Sequence, residues 1–158
     1  MSPGKRKHRG PAPKDHQLFS DEQISILKAA ANAYCWLLDR DYSARAALKI
    51  VGDHFKLRER QRKALDRCCQ PSQLVREISK RELTSKKEMI NQPIIIDGFN
   101  LLIILEAAIS SAPLFKGRDS LIRDISGLHG SYHKISETPS AIQLAADFFK
   151  TYPPSHIL

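Results

Sequence analysis

Ten residues constrain this chain more than any others: Pro93-Ile94-Ile95-Ile96-Asp97-Gly98-Phe99-Asn100-Leu101-Leu102. Three consecutive β-branched side chains, opened by a proline and closed by Asp-Gly, predict a short strand buried on both faces. The residues that follow, 101–109, are apolar apart from Glu106 and predict a buried helix. Open α/β sheets place their ligands at the polar ends of such strands. Here that end carries Asp97, a glycine that lets the backbone turn, and Asn100. A carboxylate at a strand tip suits a hard metal ion held against a phosphate. It equally suits an N-cap, its oxygen accepting from the first free amides of the next helix, and Asp-Gly is also a common turn.

At 158 residues there is room for one domain, or one domain with a small appendage. A composition 42% hydrophobic and 27% charged is that of a soluble globular protein. The net charge of +8 favours anionic partners, of which nucleic acid is the commonest. Part of the excess lies at Lys5, Arg6, Lys7 and Arg9, and more lies between Arg58 and Lys87. The three cysteines, Cys35, Cys68 and Cys69, are odd in number, two of them are adjacent, and none has zinc-site spacing. A cytoplasmic, reducing setting without a disulfide framework is the expectation. No signal-peptide pattern opens the sequence, and the apolar run from Ile94 to Ile109 is too short to span a bilayer, so no membrane association is expected.

Residues 1–14 form a basic, proline-rich stretch, read as a mobile tail that is either simply solvated or an arm for nucleic acid. Ser20-Asp21-Glu22-Gln23 has the form of a capping box. Ile24, Leu27, Ala31, Tyr34, Cys35 and Leu38 then predict one apolar stripe on a helix of four or five turns, with Cys35 in the core. Ser43 opens a second helix, Ala44 to Val51, with Gly52 as its C-terminal cap. A third helix spans about Leu57 to Cys68 and carries Arg58, Arg60, Arg62, Lys63 and Arg67. Two short helices around a glycine turn, the second basic, fit a helix-turn-helix reader, and equally a helical hairpin with a solvated charged face. Residues 70–92 predict a helix that crosses toward the strand.

Residues 110–117 read as a loop. The stretch from Arg118 to His133 is dense in polar groups. Arg118 and Arg123 suit phosphate, and Asp119 or Asp124 suits a metal shared with Asp97. His129 could move a proton near neutral pH. The alternative is a solvated loop in which these acids pair with these arginines. A last helix starts at Glu137-Thr138-Pro139, with Ile142, Leu144, Ala145, Phe148 and Phe149 as its apolar face, and ends at Tyr152-Pro153-Pro154. Ser155 to Leu158 begins a second parallel strand. A parallel sheet needs more strands than two, so either the chain is truncated or a partner supplies the remainder.

Arg9-Gly10-Pro11 through Phe19, residues 37–43, Leu48-Lys49-Ile50-Val51-Gly52 and Arg60-Gln61-Arg62 resemble the archaeal and bacterial family called domain of unknown function 434. Residues 96–103, Leu105-Glu106-Ala107-Ala108 and 123–132 resemble the segment found after that domain. The family is itself uncharacterised. The strand end at Asp97-Gly98-Phe99-Asn100 is similar to that of PIN and NYN nuclease domains, Asp97 matching their first acidic position and Asn100 their accompanying amide. Glu106, Asp119 and Asp124 have no firm match, and the later strands that bear the remaining acids of such domains are not in this sequence.

The expected fold class is therefore α/β: a basic tail over 1–14, a helical module over 15–90, and a partial PIN-like, Rossmannoid parallel-sheet domain over 91–158. The resemblance implies a Mg²⁺- or Mn²⁺-dependent ribonuclease, intact or degenerate. Asp97 would hold the metal, with Asp119 and Asp124 as further ligands, and Asn100 would orient the Asp97 carboxylate or a bound water. Arg58, Arg60, Arg62, Lys63, Arg67, Arg118 and Arg123 would hold the backbone of a nucleic acid, RNA before DNA. His129 is a third candidate, one such nucleases do not require. Two other readings stand beside it. One is a non-catalytic nucleic-acid-binding protein that uses the basic helices. The other is an interaction module whose short sheet is completed by a second copy or another partner.

Overall fold

The computed structural model describes residues 9–126 and 132–158. In chain order its elements are α1 (Asp15–Leu18), α2 (Asp21–Leu38), α3 (Ala44–His54), α4 (Glu59–Cys68), α5 (Ser72–Ser79), a 3₁₀ turn (Lys86–Met89), β1 (Pro93–Ile94), α6 (Gly98–Ile109), β2 (Phe115–Lys116), β3 (Ile122–Arg123), α7 (Thr138–Thr151) and β4 (His156–Ile157). They form two compact units. One is built from residues 11–81 and 113–125, the other from residues up to 10 with 82–112 and 126–158.

In the first unit, three helices close around one core. Ala30, Tyr34 and Leu38 of α2 recur every four residues and meet Ala47 and Val51 of α3, Leu57, Leu65 of α4, and Cys69. Each large apolar side chain buried here contributes about 1.5–3 kcal/mol. The stripe predicted on α2 is present but rotated: Ala30 is buried, whereas Ile24 is 38% exposed. Tyr34 sits 1% exposed and resolves its buried hydroxyl by donating to Ala44 O at 3.3 Å and Asp66 Oδ1 at 3.2 Å. Ser20 is the N-cap of α2, but its side chain makes no capping bond, and the Gln23 side chain accepts from Gln61 Nε2 at 3.1 Å.

The helix ends depart from the sequence reading in an instructive way. Gly52 does not end α3, which continues to His54. The left-handed residue is Lys56, at φ 52°, where Leu57 N donates back to Gly52 O at 2.8 Å. Gly52 serves a different need: a Cβ there would lie 2.3 Å from Arg62 Nη1. Residues 70–92 do not form one helix. After α5 the chain is recaptured by Ser85, whose Oγ accepts from Lys87 N at 3.2 Å, while Glu88 Oε1 accepts from Ser85 N at 2.9 Å, and this local capping starts the separate 3₁₀ turn. The predicted loop over 110–117 contains β2, which pairs antiparallel with β3, Phe115 opposite Arg123 and Lys116 opposite Ile122.

The second unit contains the organising strand. β1 and β4 pair in parallel, Pro93 opposite His156 and Ile94 opposite Ile157. Leu158 N donates to Ile94 O at 3.0 Å and Ile96 N to Leu158 O at 2.9 Å, so the second parallel strand read at Ser155–Leu158 is present. Burial on both faces is not: Ile95 is 85% exposed, because side chains alternate across a strand and these two strands have only one covered face. Gly98 is the first residue of α6, and a Cβ there would meet nothing within 4 Å, so the turn does not depend on it. An apolar groove of about 660 Å³ is lined by Ile95, Ile96, Leu105, Leu144 and Phe148 among others. Leu144, Ala145, Phe148 and Phe149 of the face predicted for α7 line it, Leu144 and Ile142 are 53% and 52% exposed, and the buried residues of α7 are Thr138 and Ala141. No described helix is long and apolar enough to cross a membrane.

Glu106, on α6, is fully buried. Its carboxylate accepts from the Arg9 guanidinium, from Tyr132 Oη at 2.8 Å and from Thr138 Oγ1 at 2.5 Å. Arg9 also donates to His133 O at 3.3 Å and lies over the Tyr132 ring, 5.2 Å from its centre. Arg9, read as part of a mobile tail, is instead 8% exposed and tied to this cluster. The Tyr132 hydroxyl is pushed above its ordinary value by burial and by the Glu106 charge.

Candidate functional site

Asp97 ends the parallel ladder and begins α6. It is the N-cap: Oδ1 accepts from Asn100 N at 3.2 Å and Oδ2 from Asn100 Nδ2 at 2.6 Å. The capping geometry weighed from the sequence is therefore present, with the Asn100 side-chain amide donating to the same carboxylate. Both residues remain exposed, beside Phe99, which is 63% exposed and stacks against Tyr132 with ring centres 4.9 Å apart.

The other two acids belong to the helical unit. Asp119 accepts from Arg123 Nη1 at 2.6 Å, from Arg123 Nη2 at 2.5 Å and from Leu121 N at 3.2 Å, its side chain fully withdrawn from solvent. The Arg123 hydrogen bonds hold its carboxyl below the ordinary carboxylate value, against the opposing effect of burial. Asp124 accepts from Arg67 Nη2 at 3.3 Å. A divalent ion needs several oxygens converging on one point. Among the described residues no group of three or more His, Cys, Asp or Glu side chains offers that. His129 lies outside the described residues.

Most of the predicted basic face has internal employment. Arg60 forks onto Asp15, with Nη2 to Oδ2 at 2.7 Å, and reaches Ile125 O at 3.5 Å. For Asp15 burial pushes the pKa up, but Arg60 and the Ala12 amide outweigh it and hold the carboxyl low. Arg62 folds back over Gly52 to close the end of α3, donating to Leu57 O at 2.9 Å and Asp53 Oδ1 at 2.8 Å. Arg118 donates to Asp39 Oδ2 at 3.2 Å, Gln70 O at 3.0 Å and Ser72 Oγ at 2.7 Å. Asp39 in turn accepts from Ser72 Oγ at 2.6 Å, and with the Ser72 amide and Arg118 this pulls its pKa down to about 2. Arg67 and Arg123 are spent on Asp124 and Asp119.

Arg58 and Lys63 are the exceptions. Arg58 is exposed at the N-cap of α4, its backbone amide taken by Gln61 Oε1 at 3.0 Å. Together with Lys14, Gln17, Glu59 and Arg60 they line an open groove of about 620 Å³. Lys14, which the sequence reading left inside the tail, is a member that was missed. Its signal was the short helix start that follows it at Asp15.

A second pocket of the same unit was also missed. It holds about 470 Å³ and is lined by Cys35, Trp36, Asp39, Cys69, Lys116 and Arg118 among others. Cys35 is half-buried and packs against the core cluster, as its place on the α2 stripe predicts, while also lining this pocket. The Cys69 thiol and the Arg118 guanidinium lower its pKa to about 7, against burial and the Asp39 charge, while hydrogen bonding to Cys35 and burial raise that of Cys69. The signal was one of facing stripes. Cys35 lies four residues past Ala31, and Cys69 four past buried Leu65, on helices that pack together.

Two descriptions divide the chain between them. Residues 26–81 match the family described as Protein of unknown function (DUF434), and residues 86–158 match the one described as Domain of unknown function (DUF5616). The resemblance of the first half to the 434 family thus holds, and the second half matches a domain description of its own. The likeness to PIN and NYN domains rests on Asp97 to Asn100 alone. The chain is also similar to an uncharacterized protein of Methanocaldococcus jannaschii, 34% identical over 130 residues. That stretch is 82% of this chain and spans 61% of the relative's length. No solved structure matches the chain.

Proposed function

We propose that the chain is a non-catalytic nucleic-acid-binding protein that engages single-stranded RNA by its backbone through the groove of Lys14, Arg58 and Lys63. The observation that carries this reading is the division of labour among the cations. Five of the seven predicted basic residues, Arg60, Arg62, Arg67, Arg118 and Arg123, are tied to carboxylates. Lys14, Arg58 and Lys63 form no ion pair among the described residues, yet line one groove on a chain of net charge +8. Such cations bind phosphate oxygens and release counterions, which gives affinity without base preference. The groove wall has no aromatic side chain on which a base could stack, so recognition is electrostatic. Asp97 and Asn100 act in this reading as the cap of α6. A hydrolytic reading rests on those two residues alone, and among the described residues no group of three or more His, Cys, Asp or Glu side chains supports it.

The test is fluorescence anisotropy with a labelled single-stranded RNA over a range of salt. With three cations in contact, the log–log slope of affinity against salt is about −2. Lys14→Ala, Arg58→Ala and Lys63→Ala together bring it near zero, whereas Asp97→Asn and EDTA leave binding unchanged. Salt-dependent binding that survives the triple variant refutes the groove, and cleavage of the RNA lost in Asp97→Asn refutes the non-catalytic assignment.

A further inference from the structure

Independently of nucleic acid, the helical unit places a cysteine of α2 and one at the end of α4 on the wall of the same pocket. Half-buried Cys35 and buried Cys69 both line that pocket, with Arg118 and Lys116 on the same wall, and Cys35 packs against the core cluster to which Cys69 belongs. Arg118 is not a wandering side chain. Its bonds to Asp39, Gln70 O and Ser72 fix the guanidinium on that wall, and a cation beside a thiol favours its thiolate form. Cys68, next in sequence to Cys69, is half-buried, and burial raises its pKa.

We propose that Cys35 and Cys69 are a peroxide-responsive dithiol pair, Cys35 attacking a small hydroperoxide in the pocket and Cys69 resolving the product. In the first step the Cys35 thiolate attacks the terminal peroxide oxygen. A sulfur–oxygen bond forms, the oxygen–oxygen bond breaks, and the departing alkoxide or hydroxide takes up a proton. The product is a sulfenic acid at Cys35, and the peroxide is reduced by two electrons. In the second step Cys69 loses its proton and attacks that sulfur, water leaves, and a disulfide joins α2 to the end of α4. The pocket admits the oxidant, Arg118 holds Cys35 anionic, and burial protects Cys69 from reacting first. The charged groups facing the pair are Asp39, Arg118 and Lys116.

The experiment is treatment of the whole chain with hydrogen peroxide at pH 7, followed by peptide mass mapping without reductant. The expected result is a Cys35–Cys69 cross-link, retained in Cys68→Ser. Cys69→Ser should halt the reaction at a Cys35 sulfenic acid, trapped by dimedone. In the untreated chain Cys35 should alkylate about tenfold faster at pH 7 than Cys68. Reading the cross-link in the unsubstituted chain keeps the test independent of whether a variant folds. A cross-link through Cys68, or a Cys35 no faster than Cys68, overturns the proposal.

Discussion

The Arg9 guanidinium donates to the Glu106 carboxylate at a place where their side chains are only 4% and 0% exposed. They lie 97 residues apart in sequence, and the pair joins the start of the described chain to the middle of α6. Burying two charges is costly unless each is fully partnered, and here Tyr132 and Thr138 supply the remaining donors to Glu106. Removing one partner leaves an uncompensated charge. Arg9→Met should therefore cost about 3–5 kcal/mol in urea unfolding. Glu106→Gln should cost less in the Arg9→Met background than in the unsubstituted chain, because it removes the orphaned charge and can still accept from both hydroxyls. Equal costs in the two backgrounds would show that the pair is not coupled.

Lys56 carries the left-handed turn after α3 at φ 52°, a conformation that side chains with a Cβ adopt only under strain. Lys56→Gly should stabilise the chain by about 1 kcal/mol. The gain should appear as a higher urea midpoint at unchanged slope, since nothing that is buried changes. A loss of stability would mean that the lysine side chain contributes more than its backbone strain costs.

What the sequence displayed and what it hid divide by range. Helices α2, α3, α4, α6 and α7 were legible because apolar spacing and end signals act within a few residues. The parallel partner of Ile94 was legible too, from four residues after Pro154. The employment of the arginines was not. Arg60 answers Asp15 across 45 positions and Arg67 answers Asp124 across 57, and no local pattern separates such residues from free cations such as Arg58. Gly52 shows the same limit. A glycine after an apolar helix reads as its cap, yet what requires glycine there is Arg62, brought back by the next helix. Cys35 was read as core from its stripe and does pack against the core, but the hairpin turn that brings Arg118 to the pocket beside it left no local signal.

That packing makes Gly52 and Arg62 a coupled pair. A Cβ at Gly52 would sit 2.3 Å from Nη1 and 2.4 Å from Cζ of Arg62, so Gly52→Ala must displace the guanidinium that closes α3. The helix gains about 1 kcal/mol in propensity, but loses the bonds to Leu57 O and Asp53. Gly52→Ala should be destabilising in the unsubstituted chain and stabilising by about 1 kcal/mol in an Arg62→Ala background. A double-mutant cycle reads the sign directly, and a stabilising effect in both backgrounds would refute the close packing.

Asp119 and Arg123 contribute to the acid sensitivity of the helical unit. The two Arg123 hydrogen bonds hold the Asp119 carboxyl below its unfolded value of 3.8. With the folded pKa depressed, the unfolded chain takes up its proton first as the pH falls. The stabilisation is therefore complete above the unfolded value and is lost as the pH drops through the folded one. Asp15, held low by Arg60 and Ala12, acts in the same direction. Asp119→Asn should be less stable than the unsubstituted chain at pH 7, and the gap should begin to narrow as the pH falls past the unfolded value of 3.8 and close only below the lower folded one, where both chains carry an uncharged group beside Arg123. Urea midpoints measured from pH 7 down to pH 2 follow that gap. A gap that stays constant over the whole range would mean that Asp119 acts through shape alone, not through its charge.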